Sequence, residues 1–490
     1  SYVIAKAVAV ILALLILDGI ALAAGFAANI VFITDTPVFP AGYVYYPFII
    51  LFPAVVWTAG LVFFVNALIP SHALAVTLLA AGLIFQFSLP GSFFDSLGIG
   101  LPILASDIAG FGNPNRIILQ RIVYFLIGCG CIFTTSFLFR RPSQLRLSKL
   151  GSIVFAMVCF ACAGFIGLSL AVQSSEDLTA HREMLSLSVQ EADQPMVSVA
   201  DCILDLVHEN REIEATASLR LRNDSVVPIK TYFFSLNPGL TVLRVACGTA
   251  SIPYTRKLHL LVIQPSSSLP PGATDSLVVH YRGTIDERVC TLDVDVAGLK
   301  LKHKNMFTTI EPHSAFLTPT YVLLTADALW YPVPGVPDIS FDRRSSGRGF
   351  VRFTLRVKTK SGLTAISPGN VKQNIPGEWE FIPEYPLPRI SLAIGRYEKK
   401  AITVDGIEYA VFYHHKHNFF SPYFPDLTQK EISDAIREEK NIYESNLKLD
   451  YPFPRFSIVE TPIQYISHPT FWKLYGESIQ PEIALVPEKG

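Results

Sequence analysis

Charge is almost absent from the first part of this 490-residue chain. Before Arg140 the only charged side chains are Lys6, Asp18, Asp35, Asp95, Asp107, Arg116 and Arg121, whereas after about residue 176 charge becomes ordinary. Water-facing surfaces need charge, so a stretch this poor in it must face something other than water. A membrane span needs about 20 predominantly apolar residues. Five stretches qualify, at roughly 3–32, 44–68, 71–90, 117–139 and 150–173. None reads as a cleaved signal peptide, because there are several and the first is too long. Ser1 stands where an initiator Met is expected, which suggests a chain that starts inside a longer reading frame. Over the whole chain only 17% of residues are charged and the net charge is -1, which excludes nucleic-acid binding through bulk positive charge. A mean hydropathy of +0.38 and 12% aromatic residues exclude a disordered chain.

Basic residues in short loops orient the spans. The run from Arg140 to Lys149 is the densest basic cluster beside any span and is placed in the cytoplasm. Alternation then puts 91–116 and 33–43 outside, 69–71 and Lys6 inside, and everything after about 175 outside. Arg116 and Arg121, at the outer end of the fourth span, run against the rule. Asp18 lies within the first span and reads either as part of an ion or substrate pathway, or as a residue that faces neighbouring helices, is protonated, or precedes a span that begins later. Cys129, Cys131, Cys159 and Cys162 read as small packing residues, and His72 as a helix-junction residue. The segment 91–116 is too apolar for an ordinary loop and too broken by Gly and Pro for a span, so it is expected to dip into the interface or re-enter.

Spans, an external apolar segment, and a further span ending in basic residues together resemble the permease half of ABC-type exporters over roughly residues 1–140. The resemblance implies that the first four spans are the last four of a six-span unit, with the fifth leading into an external domain. On hydropathy alone a generic polytopic anchor stays open.

From about 196 the period changes. Ile213–Asn223 alternates apolar and polar side chains as a half-buried strand does. Further strands are expected around Tyr232–Phe234, Thr241–Val245, Leu258–Ile263, Ser276–Tyr281, Val351–Lys358 and Arg389–Ile394, separated by turns such as Ser268–Gly272. Short strands at this spacing predict a sandwich or saddle-shaped sheet. Thr428-Gln429-Lys430-Glu431 is a capping-box pattern, and Ile432, Ile436, Tyr443 and Leu447 follow at near-helical spacing, predicting a helix over 428–447. Pro452 and Pro454 stop it, and a strand over Arg455–Val459 follows. The expected architecture is therefore multi-domain: an α-helical transmembrane bundle (1–175), a linker (176–195), an all-β extracytoplasmic domain (196–400) and the beginning of an α+β domain (401–490).

Several runs in this half resemble, in order, the aminopeptidase N family of zinc metallopeptidases. They are Ser235–Val242, Leu269–Gly272 with Leu277–Gly283, Trp330-Tyr331-Pro332, Ser367-Pro368-Gly369-Asn370 and Ile394–Tyr397. The helix through Tyr443-Glu444, then Tyr451–Arg455 and Ile458–Pro462, resembles the opening of that family's catalytic domain. Bacterial proteins fusing an ABC-type permease to such a peptidase form a known arrangement, and this chain resembles them. The resemblance implies a zinc ion held by two His and a Glu on H-E-x-x-H with a downstream Glu, because positions i and i+4 share a helix face. The chain contains no H-E-x-x-H. It ends at Gly490, close to where the family supplies that motif, so the absence reads as truncation: no zinc in this portion, zinc expected in the full-length protein.

The family's amine-binding glutamate lies in a Gly-x-Met-Glu-Asn-like segment. The matching run here is Gly476–Glu482, and alignment on Pro481 puts Ile479 at the glutamate position. Glu477 and Glu482 are the neighbouring candidates for substrate binding; as carboxylates they are expected at the solvated surface. His414-His415-x-His417 could place His415 and His417 on one strand face for a metal, but no acid or Cys stands at metal-site spacing. A strand end or loop is the expectation there. Cys202, Cys247 and Cys290 leave one disulfide plus one thiol open, in an oxidising compartment. No Gly-x-Ser-x-Gly elbow and no phosphate-cradling Gly-rich loop occurs, so any ATPase is a separate chain.

The reading is a membrane-anchored, aminopeptidase-like metallopeptidase with a permease-type membrane region, in a bacterial inner membrane. Its partners are the lipid bilayer, a separate ABC ATPase, a second permease half, and a peptide substrate or exported cargo; nucleic acid is excluded. The alternative is an exporter permease subunit whose external peptidase-like domain recognises cargo without catalysis.

Overall fold

The computed structural model describes residues 2–32, 40–86, 94–101, 105–110, 114–139, 146–248, 250–292, 304–305, 308–337, 349–415, 417, 428–467 and 476–488. The chain divides into two compact units, Ser1–Asp177 with His303–Glu311, and Leu178–Lys302 with Pro312–Gly490.

The first unit is helical. Four helices are long and apolar enough to cross a membrane: α1 (Tyr2–Phe32), α2 (Gly42–Leu68), α4 (Pro114–Leu138) and Leu150–Gln190 of α5, whose apolar stretch precedes Glu176 and whose residues from Leu178 belong to the second unit. Between α2 and α4, α3 (His72–Gln86) has only 15 residues, which at 1.5 Å per residue reaches about 22 Å against a hydrocarbon core of about 30 Å. The rest of the third expected span, 87–90, lies outside the described residues. Helix α5 as a whole runs Arg146–Gln190 without a break, so the stretch expected as a linker is helical to Gln190.

Packing within this unit is selective. Of α1's 31 residues only Val3 and Ala7 are buried. Helix α4 is the most enclosed, burying Gln120, Arg121, Thr135 and Ser136 beside its apolar residues. Gly60 of α2 and Gly128 of α4 face each other so closely that a Cβ on either would strike backbone, the small-residue contact that lets apolar helices approach. In the segment expected to dip or re-enter, the described residues 94–101 turn around Asp95. Its carboxylate accepts N–H bonds from Gly98, Ile99 and Gly100 at 2.8, 3.0 and 2.6 Å. Arg121 donates to the carbonyl of Ser96 at 3.0 Å and to that of Asp95.

The second unit is built on sheets. An eight-stranded sheet runs in the order Asn370–Ile375, Glu378–Ile382, Arg352–Lys358, Ser198–Glu209, Glu212–Arg222, Thr274–Gly283, Leu240–Cys247, Ala250–Ser251. Its pairings are antiparallel except that of Ser198–Glu209 with Arg352–Lys358. In Glu212–Arg222 the alternation predicts the faces: Ile213, Ala215, Ala217, Leu219 and Leu221 are buried, and Arg220 and Arg222 stand in water. Two four-stranded sheets close the core, around Trp330, Tyr281, Phe234 and Tyr232.

A five-stranded sheet ends the chain, in the order Tyr397–Val404, Ile407–His414, Arg455–Thr461, Ile483–Pro487, Ile479–Gln480. Strands Ile407–His414 and Arg455–Thr461 are parallel and joined through α6 (Gln429–Leu447), so this part contains a βαβ crossover. Arg455–Thr461 is also parallel to Ile483–Pro487. Helix α6 begins as the sequence predicts: Thr428 accepts from the Glu431 N–H while the Glu431 carboxylate accepts from the Thr428 N–H.

Candidate functional site

The two acids expected at the surface are buried. Glu477 and Glu482 are each 2% exposed. Glu477 lies in the short turn Gly476–Ser478, and its Oε1 is 3.1 Å from Nη1 of Arg389, which also reaches Asp327 at 3.6 Å. Glu482 occupies a left-handed turn position, φ 65°, between the last two strands. Its Oε2 accepts the Gly369 N–H at 2.7 Å and pairs with Nη1 of Arg455 at 3.4 Å. Gly369 has φ +110° and sits so tightly on Ile382 and Pro383 that only a glycine fits. Burial raises the Glu482 carboxyl above its ordinary range, against the opposing pull of Gly369 and Arg455. Carboxylates lose so much hydration on burial that they are buried only when bonded in this way. Ile479, at the position aligned with the family glutamate, is 52% exposed and offers no carboxylate.

A second cluster forms where three parallel strands end. His414 closes Ile407–His414, Glu460 stands next to last in Arg455–Thr461, and Glu488 follows Ile483–Pro487. His417 turns back beyond the first of these, its N–H bonded to the His414 carbonyl at 2.8 Å. Nδ1 of His417 lies 3.1 Å from Oε1 of Glu460 and 4.0 Å from Oε2 of Glu488. The other oxygen of each carboxylate is tied to backbone: Glu460 Oε2 accepts the His414 N–H at 2.6 Å, and Glu488 Oε1 accepts the Ile463 N–H at 3.1 Å. The Tyr397 hydroxyl donates to the Glu460 carbonyl at 2.7 Å. His417, Glu460 and Glu488 are all buried. The His414 ring lies 5.1 Å from that of His417, and burial, with His417 beside it, pushes its pKa down to about 4, so it is neutral at pH 7.

The expectation for His414–His417 is thus corrected in part. His414 does end a strand, but His415 and His417 do not act together. His415 is exposed and bonds Glu398 at 2.6 Å, while His417 turns inward to two acids. Glu460 and Glu488 are the residues that sequence spacing misses, since both reach His417 only through strand pairing. Cys202, Cys247 and Cys290 are free thiols, so the disulfide left open by the sequence does not form. A cavity of about 880 Å³ lies between α6 and the final sheet. Ile432, Ile436, Tyr443, Ile402, Val411 and Ile458 line it, and neither acid pair opens into it.

The chemistry of the donor set does not fit the zinc site that the family resemblance implies. No two histidines of the chain stand four positions apart, and among the described residues none pair across a helical turn.

No family model matches the chain, and no curated protein matches it. Among solved structures it is similar to an M1 zinc metallopeptidase from Deinococcus radiodurans, at 15% identity and TM-score 0.41, covering 56% of this chain and 60% of that one. A mutant of the Deinococcus radiodurans M1 zinc metallopeptidase bound to a Tyr-Ser-Ala substrate matches at 15% identity and TM-score 0.42, covering 57% and 61%. A two-domain M1 zinc metallopeptidase mutant bound to L-tryptophan matches at 15% identity and TM-score 0.41, covering 56% and 60%. The chain spans about three fifths of the length of these proteins.

Proposed function

We propose that the chain is the membrane-anchoring and leading portion of a metallopeptidase of the aminopeptidase N kind. In this reading the apolar helices form an ABC-exporter-like permease region in a bacterial inner membrane. The second unit lies outside the cytoplasm and supplies the β-domain and the first strands of the catalytic domain. A separate ATPase chain and a second permease half are the partners the membrane region calls for, and peptides are the substrate class.

The observation that carries the reading is that the sequence runs resembling the family bond to one another. Asn370 and Gly369, from Ser367–Asn370, meet Arg455, from Tyr451–Arg455, around the carboxylate of Glu482. Tyr397, from Ile394–Tyr397, bonds the Glu460 carbonyl in Ile458–Pro462. Glu477 and Glu482 are both candidates for the amine-binding carboxylate, each buried beside an arginine, Arg389 and Arg455 respectively; Glu477 is tested first.

The reading requires an H-E-x-x-H motif and a catalytic zinc from residues that follow Gly490 in the gene. That ion supplies Lewis-acid and water-activating chemistry. No step is assigned to it on the residues described above, which bind and position. The test is to extend the reading frame past Gly490, express the longer protein and measure zinc content and release of amino-terminal residues from peptides. A frame without H-E-x-x-H, or a protein without zinc, overturns the enzyme reading. In an active enzyme, Glu477→Gln raises KM for free-amine substrates; an unchanged KM removes Glu477 from the role. For the topology, a cysteine at Val226, 93% exposed, is labelled by an impermeant maleimide in intact spheroplasts. Absence of labelling above the parent protein inverts the model.

A further inference from the structure

We propose that His417, Glu460 and Glu488, with His414 beside them, form a site in the second unit for a divalent transition-metal ion of the zinc class. The proposal goes beyond the peptidase reading and does not depend on it.

Topology supplies the first argument. Ile407–His414, Arg455–Thr461 and Ile483–Pro487 are parallel neighbours, so their carboxyl ends lie together on one edge of the sheet. In open α/β sheets that edge is where ligands bind. The register brings Glu460 opposite Val486 and Thr461 opposite Pro487. Glu488 is then drawn in by its own N–H, which bonds the Thr461 carbonyl at 2.7 Å. Residues far apart in the chain thus deliver one imidazole and two carboxylates to one place.

The second argument is the way the carboxylates are held. In each, one oxygen is fixed by a backbone N–H, from His414 or Ile463, and the other turns toward Nδ1 of His417. This is the arrangement of monodentate metal ligands oriented by outer hydrogen bonds. Two ligand atoms each about 2.0–2.1 Å from a tetrahedral zinc ion lie about 3.3 Å apart. Nδ1 of His417 stands 3.1 Å from Glu460 Oε1, in a hydrogen bond, and 4.0 Å from Glu488 Oε2, so binding an ion exchanges that hydrogen bond for metal bonds.

Charge is the third argument. Two buried carboxylates need compensation. A divalent ion bound by neutral imidazole supplies two positive charges to such a pair. The donor set, nitrogen and carboxylate oxygen without thiolate, suits zinc and its first-row neighbours rather than calcium or copper(I).

The test uses the 490-residue chain purified in detergent, stripped with EDTA and titrated with Co²⁺ alone. The expected result is visible ligand-field absorption that saturates at one equivalent and is displaced by Zn²⁺, with a rise in the thermal midpoint of the wild-type protein on adding Zn²⁺. Glu488→Gln and His417→Ala each weaken Co²⁺ binding at least tenfold, whereas His415→Ala, exposed and bonded to Glu398, leaves it unchanged. Absence of both saturable absorption and a Zn²⁺-dependent midpoint shift in the wild-type chain overturns the proposal, even where a variant does not fold. Equal binding in wild type, Glu488→Gln and His417→Ala overturns it as well, and leaves His417 an imidazolium held between two acids. Because this chain contains no H-E-x-x-H, failure here leaves the peptidase reading standing.

Discussion

The two units turn their apolar side chains in opposite directions. On α1, Ile16, Leu17 and Ile20 are each more than 60% exposed, and the helix buries little. In the second unit the apolar residues of Glu212–Arg222 are buried, while Arg220 pairs with Asp201 on the neighbouring strand and Arg222 with Asp224 in the turn that follows. Such a helix surface is costly in water and costs nothing in hydrocarbon. Buried ions, by contrast, are held alike in both units. In the first, Asp95 is buried against backbone N–H groups, and Arg121, 1% exposed, bonds loop carbonyls. In the second, Glu460, Glu477, Glu482 and Glu488 are buried against N–H groups, arginine or histidine. Each buried ion therefore marks a tertiary contact its unit depends on.

The largest expected effect tests which unit has a water-excluding core. Trp330, fully buried among Tyr281, Tyr331 and its neighbours, leaves a large cavity on Trp330→Ala, costing about 3–5 kcal/mol. Ile16→Ala, at a 63% exposed site on α1, is expected to leave thermal unfolding in detergent nearly unchanged. Comparable losses in the two variants break the contrast.

Acid sharpens it next. His259 is buried, bonds Ser188 Oγ at 2.8 Å, and burial, with Arg256 nearby, lowers its pKa to about 4 from an ordinary 6.5. The folded state thus refuses a proton that the unfolded chain takes up. The stabilisation is complete above pH 6.5 and is lost as pH falls through about 4, amounting to roughly 3 kcal/mol. Urea unfolding of wild type and His259→Gln at pH 7 and pH 4.5 is expected to show the smaller acid loss in the variant. Equal losses remove His259 from the account.

Glu482→Ala comes third. It leaves the Gly369 N–H without its carboxylate and Arg455 without its partner, costing about 1–3 kcal/mol. Glu398→Ala, an exposed partner of His415, is expected to leave the unfolding midpoint unchanged. If both behave alike, burial has not made Glu482 a clamp.

What was legible in the sequence was local. Alternation in 213–223 and the capping box at Thr428 each depend on residues a few positions apart, and the strand Glu212–Arg222 and helix Gln429–Leu447 formed where expected, whereas the strands expected at Leu258–Ile263 and Arg389–Ile394 begin only at Leu260 and Leu392. What was illegible depended on distant partners. Glu477 and Glu482 read as surface acids because carboxylates usually are, and nothing near them announces Arg389 or Gly369. His417 lacked an acid at metal-site spacing because Glu460 and Glu488 arrive along other strands. Arg121 read only as an awkward charge for orientation, while the fold uses it to hold the Asp95 loop.

The smallest effect concerns α6, the one helix of the second unit that a single local motif predicts. No described residue of α6 is buried, and Tyr443 and Leu447 are more than 60% exposed, so packing contributes little to it within this chain. A helix supported mainly by its ends should respond to its cap in full. Thr428→Ala removes the oxygen that accepts the Glu431 N–H and should cost about 1 kcal/mol, read as faster amide hydrogen exchange in the first turn of α6. Thr428→Ser keeps the oxygen and should restore protection. If Thr428→Ala leaves exchange unchanged, the helix is held by contacts along its length, and α6 belongs with the core rather than with the locally specified parts of the fold.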